Sequence, residues 1–486
     1  MTPLTRRQML RVTGMLTAGC FWRTTTGTAA ESKPVDVGSR LELFVDRRLI
    51  DQMDGLELRL QQPQRMPLAA SPIKGSYLTI IKDGDIFRAY YRGDDPNYKG
   101  DRYSGHPGEI TCYAESRDGH EWTFPRLGLF EVNGTRNNNV ILAGLPPFSH
   151  NFSPFLDTCP GANPQARFKA LAGHPGRNRK VSAKGLHAFI SADGIHWKKT
   201  GTEPTIPYDK SWHHAFDSQN VSFWSEAEQC YVCYFRTYET PQGRLRTISR
   251  TTSQDFKHWT APVATNPNLP GEHLYTSQTH PYFRAPHLYI ALPTRYAAGR
   301  VGTKTTHAML GSTDILFMTW RAGATAFDRL FTEAFIRPGP DPERWGSRAN
   351  YAGLNVVPTG SAEMSIYHST SGYRYALRTD GFISVHAGAL QGELRTRPLT
   401  FAGGELILNC STSVAGSLRV EIQDANGTPC SNFHLADSQE IVGDKIEHAV
   451  QWKGNPDLAA LAGKPVRLRF VMKETDLYSF RFRPKK

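Results

Sequence analysis

Apolar and polar positions alternate with a period of two through short runs along this chain. Examples are Leu41-Glu42-Leu43-Phe44-Val45-Asp46, Leu56-Glu57-Leu58-Arg59-Leu60, Leu418-Arg419-Val420-Glu421-Ile422 and Val466-Arg467-Leu468-Arg469-Phe470. Alternate side chains of a strand face opposite ways, so each run predicts a strand with one buried face. Asp54-Gly55, Asp83-Gly84 and Asn426-Gly427 supply turn residues between such runs. No amphipathic helical pattern interrupts residues 36–486, and the predicted class is all-β.

One signature recurs. Ser116-Arg117-Asp118-Gly119-His120-Glu121-Trp122 and Ser191-Ala192-Asp193-Gly194-Ile195-His196-Trp197 each read as strand, tight turn, strand. Looser copies run from Ser253-Gln254-Asp255 to Trp259 and from Ser312-Thr313-Asp314 to Trp320, with a fainter echo at Asp380-Gly381. The aspartates recur 59 to 75 residues apart, a period that suits a four-stranded unit and not one hairpin. Five such units set around an axis predict a five-bladed β-propeller over residues 36–388. Beyond Gly388 the signature stops and plain alternation predicts an appended β-sandwich over 389–486.

Composition adds three constraints. With 39% hydrophobic and 21% charged residues, 42 Gly and 32 Pro, the chain reads as turn-rich and globular, without an apolar run of membrane-spanning length. Residues 1–30, with Arg6-Arg7 ahead of an apolar stretch and Thr28-Ala29-Ala30, resemble a twin-arginine export signal and predict a periplasmic or extracellular protein. Cys20 is the alternative point of lipid anchoring. Removing that segment lowers the formal charge from +12 to +8. A basic balance favours an acidic or sulfated glycan, and no basic-aromatic module points to nucleic acid. Cys230 and Cys233 lie in one strand-like run and face opposite ways, which reads as buried thiols. Cys410 and Cys430 flank a strand-like segment and can pair in an oxidising compartment.

The hairpin signature, the count of five and the trailing sandwich together resemble the five-bladed propeller glycoside hydrolases, the group of invertases, levanases and arabinanases, as a divergent exported bacterial member. Sialidases, whose turn motif places one more residue between Asp and Gly, are the competing propeller enzymes. The resemblance implies hydrolysis of a polysaccharide or oligosaccharide by paired carboxylates in the propeller funnel, without a cofactor. A carbohydrate-binding or scaffold propeller without turnover is the alternative.

It further implies a catalytic carboxylate on the inner strand of each of the first three blades. Asp157 and Asp217 stand at blades two and three, while Ser76–Ile81 of blade one carries no acid and leaves Asp46, Asp94 or Asp95 as substitutes. Asp217, in a polar cluster between His213-His214 and Gln219-Asn220, is the first choice. Glu363 or Glu115 is the candidate acid. For substrate contact the expected residues are Arg92, His214, Gln219, Asn220, His280, Arg344, Arg348 and Tyr351, because planar polar groups and aromatic faces hold sugars. No metal-ligand set stands out from the spacing.

Overall fold

The structure, a computed structural model, describes residues 33–174, 183–212, 215–238, 240–300, 311–346 and 349–485. Among them there is no α-helix, only short 3-10 turns, and no helix long and apolar enough to cross a membrane. The chain is nearly all β, divided among many sheets. The expected export segment and Cys20 lie outside the described residues.

Four consecutive segments each fold back on themselves as antiparallel sheets. The first is Ser76–Asp83, Ile86–Asp94, Glu109–Ser116 and Val140–Leu142. Ser153–Leu156, Phe168–Ala172, Gly185–Ser191 and Lys198–Lys199 make the second, and Val221–Ser225, Cys230–Thr237, Thr247–Ser253 and Val263–Ala264 the third. The fourth is split: Ala285–Ala291 and Thr294–Ala298 follow one another along one edge, and Gly311–Ile315 and Met318–Arg321 along the next. A further sheet joins Val357–Pro358, Glu363–Tyr367 and Arg374–Arg378 to Gln64–Arg65 from near the start of the described chain.

The first strands of these sheets touch in sequence. Ser76–Asp83 meets Ser153–Leu156, which meets Val221–Ser225, which meets His280–Tyr282. The Val356 amide donates to His280 Nε2 at 2.9 Å, and Thr79 bridges Leu354, so the contacts return to the start.

The recurrent signature forms turns in its first three copies. Ser116 Oγ accepts from the Gly119 amide at 2.8 Å, and Asp118 Oδ1 accepts from the His120 amide at 2.7 Å. Ser191-Asp193 and Ser253-Asp255 repeat the geometry. Each glycine turn docks on the preceding sheet in the circle. The Tyr367 hydroxyl donates to the Gly119 carbonyl at 2.5 Å, and a Cβ on Gly194, whose φ is +78°, would meet the Tyr90 hydroxyl at 2.5 Å. Trp122 packs edge-on against Tyr367 and Trp197 against Tyr90 and Phe152. The signature therefore fastens neighbouring sheets together.

The fourth copy departs from the expectation. Asp314 stays within a strand and pairs with Arg295 at 2.7 Å, because Gly311–Ile315 and Met318–Arg321 continue in one direction, along Thr294–Ala298 and then Ala285–Ala291, instead of reversing. Asp380, in the fifth echo, is fully buried and turns the chain with φ +63°. Its carboxylate accepts from Tyr282 at 2.7 Å, Arg284 at 2.8 Å and Ser479 at 2.7 Å, tying this sheet to the C-terminal region.

Residues 383–483 form a ten-stranded hydrogen-bonded network together with strands from 35–60. Leu56–Leu60 pairs with Ile383–Ala387 and Ile50–Asp54 with Gly392–Thr396. The N-terminal strands thus join the sheet of the C-terminal region, across the expected boundary at 388. Glu405–Asp424 and Val466–Arg483 are its longest pair and enclose a core that includes Val420, Leu468, Phe470 and Phe480. Asn426-Gly427 turns as expected, with Gly427 at φ +91°. Cys410 and Cys430, which the sequence leaves able to pair, are free thiols, and Cys230 and Cys233 are buried in one strand.

Candidate functional site

Side chains at or just ahead of the first strands of these sheets touch one another in order. Tyr77 stacks on Tyr351 with ring centroids 5.9 Å apart and meets His150 edge-on at 5.8 Å. His150 Nε2 lies 3.4 Å from Asp217 Oδ1. Arg236, which holds Asp217 Oδ2 at 3.1 Å, lies over Tyr275 at 5.2 Å, and Tyr275 stacks on Tyr351 at 5.7 Å. His174 Nε2 adds a second imidazole 3.3 Å from Asp217 Oδ1.

The backbone explains why these residues meet. Asn151, fully buried, donates its amide to the Gly173 and Phe216 carbonyls at 2.8 Å each, and its side-chain oxygen accepts from the Gly173 amide at 2.9 Å. Asn151 follows His150, Gly173 precedes His174 and Phe216 precedes Asp217. One side chain therefore fixes the neighbours of all three cluster members. Gly173 has room for no larger residue, since a Cβ there would lie 2.2 Å from the Gly185 carbonyl. Phe216 and Tyr77 hold positive φ, +66° and +53°, which places strained backbone directly at the site.

Charge is concentrated around His150. Its Nδ1 is approached by Glu109 Oε1 at 2.8 Å, Arg92 Nη1 at 2.8 Å and the Gly105 amide at 3.2 Å. Burial raises the Asp217 carboxyl, but hydrogen bonds from His150 and His174 and the charge of Arg236 outweigh it and hold the group far below the usual carboxylate range. Glu109 is also lowered, burial being outweighed by His150 and Arg92. Both carboxylates are anionic at neutral pH. Burial lowers the His174 pKa against the pull of Asp217, and it raises those of Tyr77 and Tyr351, whose hydroxyls stay protonated.

Of the residues expected from sequence, Asp217, Arg92 and Tyr351 belong to this cluster. His214 and Arg348 lie outside the described residues. Asp157 does not belong: it follows the far end of Ser153–Leu156, with its carboxylate bonded to Lys169 and to the Tyr231 hydroxyl at 2.9 Å. Glu363 stands on the second strand of its sheet, where Thr359 and Arg374 hold it at 2.8 and 2.5 Å. Gln219, Asn220 and His280 are buried and spend their polar groups inside the circle. Gln219 bonds Thr79 and Gln278, Asn220 bonds the Phe216 and Ser218 carbonyls, and His280 joins Gln278 to Val356. Arg344 is buried against Asn350 and Tyr375. Asp46 pairs with Arg321, Glu115 accepts from Tyr113, and Asp94 lies 3.1 Å from His106.

Glu109, His150, His174, Arg236, Tyr77 and Tyr275 were not among the expected site residues. His150 and Asp217 hold equivalent places ahead of the second and third first strands, a positional signal available in the sequence. Against the expectation of no metal set, the ligand atoms of His150, His174 and Asp217 lie within 4.8 Å of one another.

No family model matches the sequence, and no curated protein matches it. Solved glycoside hydrolases are what the chain is similar to. A family 43 arabinoxylan arabinofuranohydrolase from Bacillus subtilis is 13% identical, with a TM-score of 0.40 over 85% of this chain and 96% of that one. An endo-arabinase from Bacteroides thetaiotaomicron is 10% identical, with a TM-score of 0.38 over 66% of this chain and 96% of that one.

Proposed function

We propose that this chain is an exported glycoside hydrolase acting on a polysaccharide or its oligosaccharides, with Asp217 at the reaction centre. The observation that carries the reading is the position of Asp217. It is an ionised carboxylate among the side chains that touch near the first strands, partly open, beside stacked tyrosines and guanidinium groups. An ionised carboxylate is equipped to activate water or to stabilise positive charge at a sugar carbon, and aromatic faces with planar polar groups suit sugar rings. Arg92 and Arg246, at 4.8 Å over Tyr77 and Tyr275, favour an acidic or sulfated glycan.

In the same reading the five sheets from 64 to 378 are the blades of a propeller closed by Gln64–Arg65, and residues 35–60 with 383–483 are a companion sandwich. The pairing of Arg65 with Tyr375 and of Leu60 with Ile383 supports this division. Export rests on the sequence of residues 1–30, with Arg6-Arg7, the apolar stretch behind them and Thr28-Ala29-Ala30.

Glu109 and Asp217 face opposite nitrogens of one imidazole, which sets them within roughly 9 Å, compatible with an inverting pair. Neither is a proton donor at neutral pH, so the leaving group must take its proton from an imidazole or from water. That same lack of a protonated carboxylate favours the second reading, a glycan-binding propeller without turnover. Incubating the protein and Asp217→Asn with neutral, carboxylated and sulfated polysaccharides, and following new reducing ends, separates the two. Hydrolysis by the first protein alone supports the enzyme. Binding without product supports the second reading, and an unsaturated product would replace hydrolysis by elimination.

A further inference from the structure

We propose that His150, His174 and Asp217 bind one divalent first-row transition-metal ion. The spacing of the three ligand atoms points to it. Asp217 Oδ1 lies 3.4 Å from His150 Nε2 and 3.3 Å from His174 Nε2. Atoms each about 2.0–2.2 Å from a shared ion stand about 3–3.5 Å apart, which matches both separations.

The surroundings of the three ligands are those of a built site. With the far nitrogen of His150 donating its N–H to Glu109 Oε1 at 2.8 Å, the Nε2 lone pair is left facing Asp217. Arg236 occupies Asp217 Oδ2 at 3.1 Å and leaves Oδ1 for the ion. Such outer partners orient ligands and raise affinity. Asn151 fixes the residue next to each ligand.

Two imidazole nitrogens and one carboxylate oxygen select zinc, manganese, iron, cobalt or nickel, whereas calcium requires six to eight oxygens. Three protein ligands leave coordination positions open, as in metal sites that bind water or substrate. Both histidines are buried while the Asp217 side chain retains 22% exposure, so the open side faces the tyrosines and the solvent. The ion is independent of the glycosidase reading, since the site would bind metal whether or not a sugar is cleaved.

The test uses the folded chain, stripped with a chelator and dialysed against Zn2+ or Co2+, with metal content and visible absorption as readouts. One equivalent of ion, and cobalt bands indicating nitrogen ligation, are expected. His174→Gln and His150→Gln should each weaken binding by at least about 10- to 100-fold while circular dichroism remains unchanged. If either variant misfolds, Glu109→Gln, which keeps all three ligands, should still weaken zinc measurably. Failure of the folded protein to take up stoichiometric zinc or cobalt overturns the proposal. So does uptake that is indifferent to these substitutions, or a preference for Ca2+ over Zn2+.

Discussion

Asn151 donates its side-chain amide to the Phe216 carbonyl at 2.8 Å, joining the segment that ends in His150 to the one that presents Asp217. The bond is buried, and Phe216 holds a positive φ that brings Asp217 round toward the imidazoles. Replacing Asn151 with Ala leaves the Gly173 and Phe216 groups without their partner, at a cost of about 1–3 kcal/mol each. Chemical denaturation should register that loss. Turnover of any glycan substrate should fall further than stability accounts for, with kcat lowered more than KM is raised.

Asp217→Asn should reduce kcat by about 10³-fold or more while the fold persists, because the charge is removed and the shape kept. Asp157→Asn and Glu363→Gln should stay within a few-fold of the parent in kcat/KM. Asp157→Asn should lower the unfolding midpoint, since it weakens a buried pair with Lys169. Parallel kinetics and thermal unfolding of the three variants check this, and a dead Asp157→Asn protein that remains folded would relocate the chemistry.

Acid should destabilise the protein ahead of carboxylate protonation. Burial holds His280 at about 4, whereas an unfolded histidine protonates near 6.5. Between those values the unfolded chain binds a proton that the fold refuses, so stability falls as pH drops through the window, by about 3 kcal/mol for the full passage. His368, lowered further by burial and by Arg344, adds to the slope. Urea titrations from pH 7 to pH 4 should show a flatter dependence for His280→Gln than for the parent.

Gly194→Ala should cost far more than Gly161→Ala. Both glycines hold a positive φ near +75°, but a Cβ on Gly161 meets open space while one on Gly194 strikes the Tyr90 hydroxyl of the neighbouring sheet. Trp197→Ala, at the same seam but only partly buried, should cost less than the about 3–5 kcal/mol of a fully buried tryptophan. Equal unfolding midpoints for the two glycine variants would contradict the role of the signature as a fastener between sheets.

The strands were legible because alternation and Asp-Gly or Asn-Gly turns act locally, as at Asp83-Gly84 and at Asn426-Gly427. The fourth copy misled because its Ser, Asp and Trp match while Gly311–Ile315 and Met318–Arg321 continue in one direction. Asp217 could be found from its polar neighbours in the chain. Glu109 and His174 could not, since each follows or opens a strand far from His150 in sequence and meets it only when the first strands close on one another. Gln219, Asn220 and His280 looked like ligand contacts because sequence shows polarity but not direction; their partners lie inside the circle.

The edge strand that completes the last sheet of the circle is Gln64–Arg65, and Arg65 pairs with Tyr375. A chain emerging from its N-terminus must therefore leave that strand unpaired until residues 375–376 exist, and the strands at 50–60 until residues 383–396 exist. Contacts of such sequence separation slow folding and expose strand edges to wrong partners. A chain of this design gains its closing contacts only after nearly all of it has been synthesised. Its order of folding is the reverse of its order of appearance at those two seams, and refolding from denaturant should show its slowest phase there.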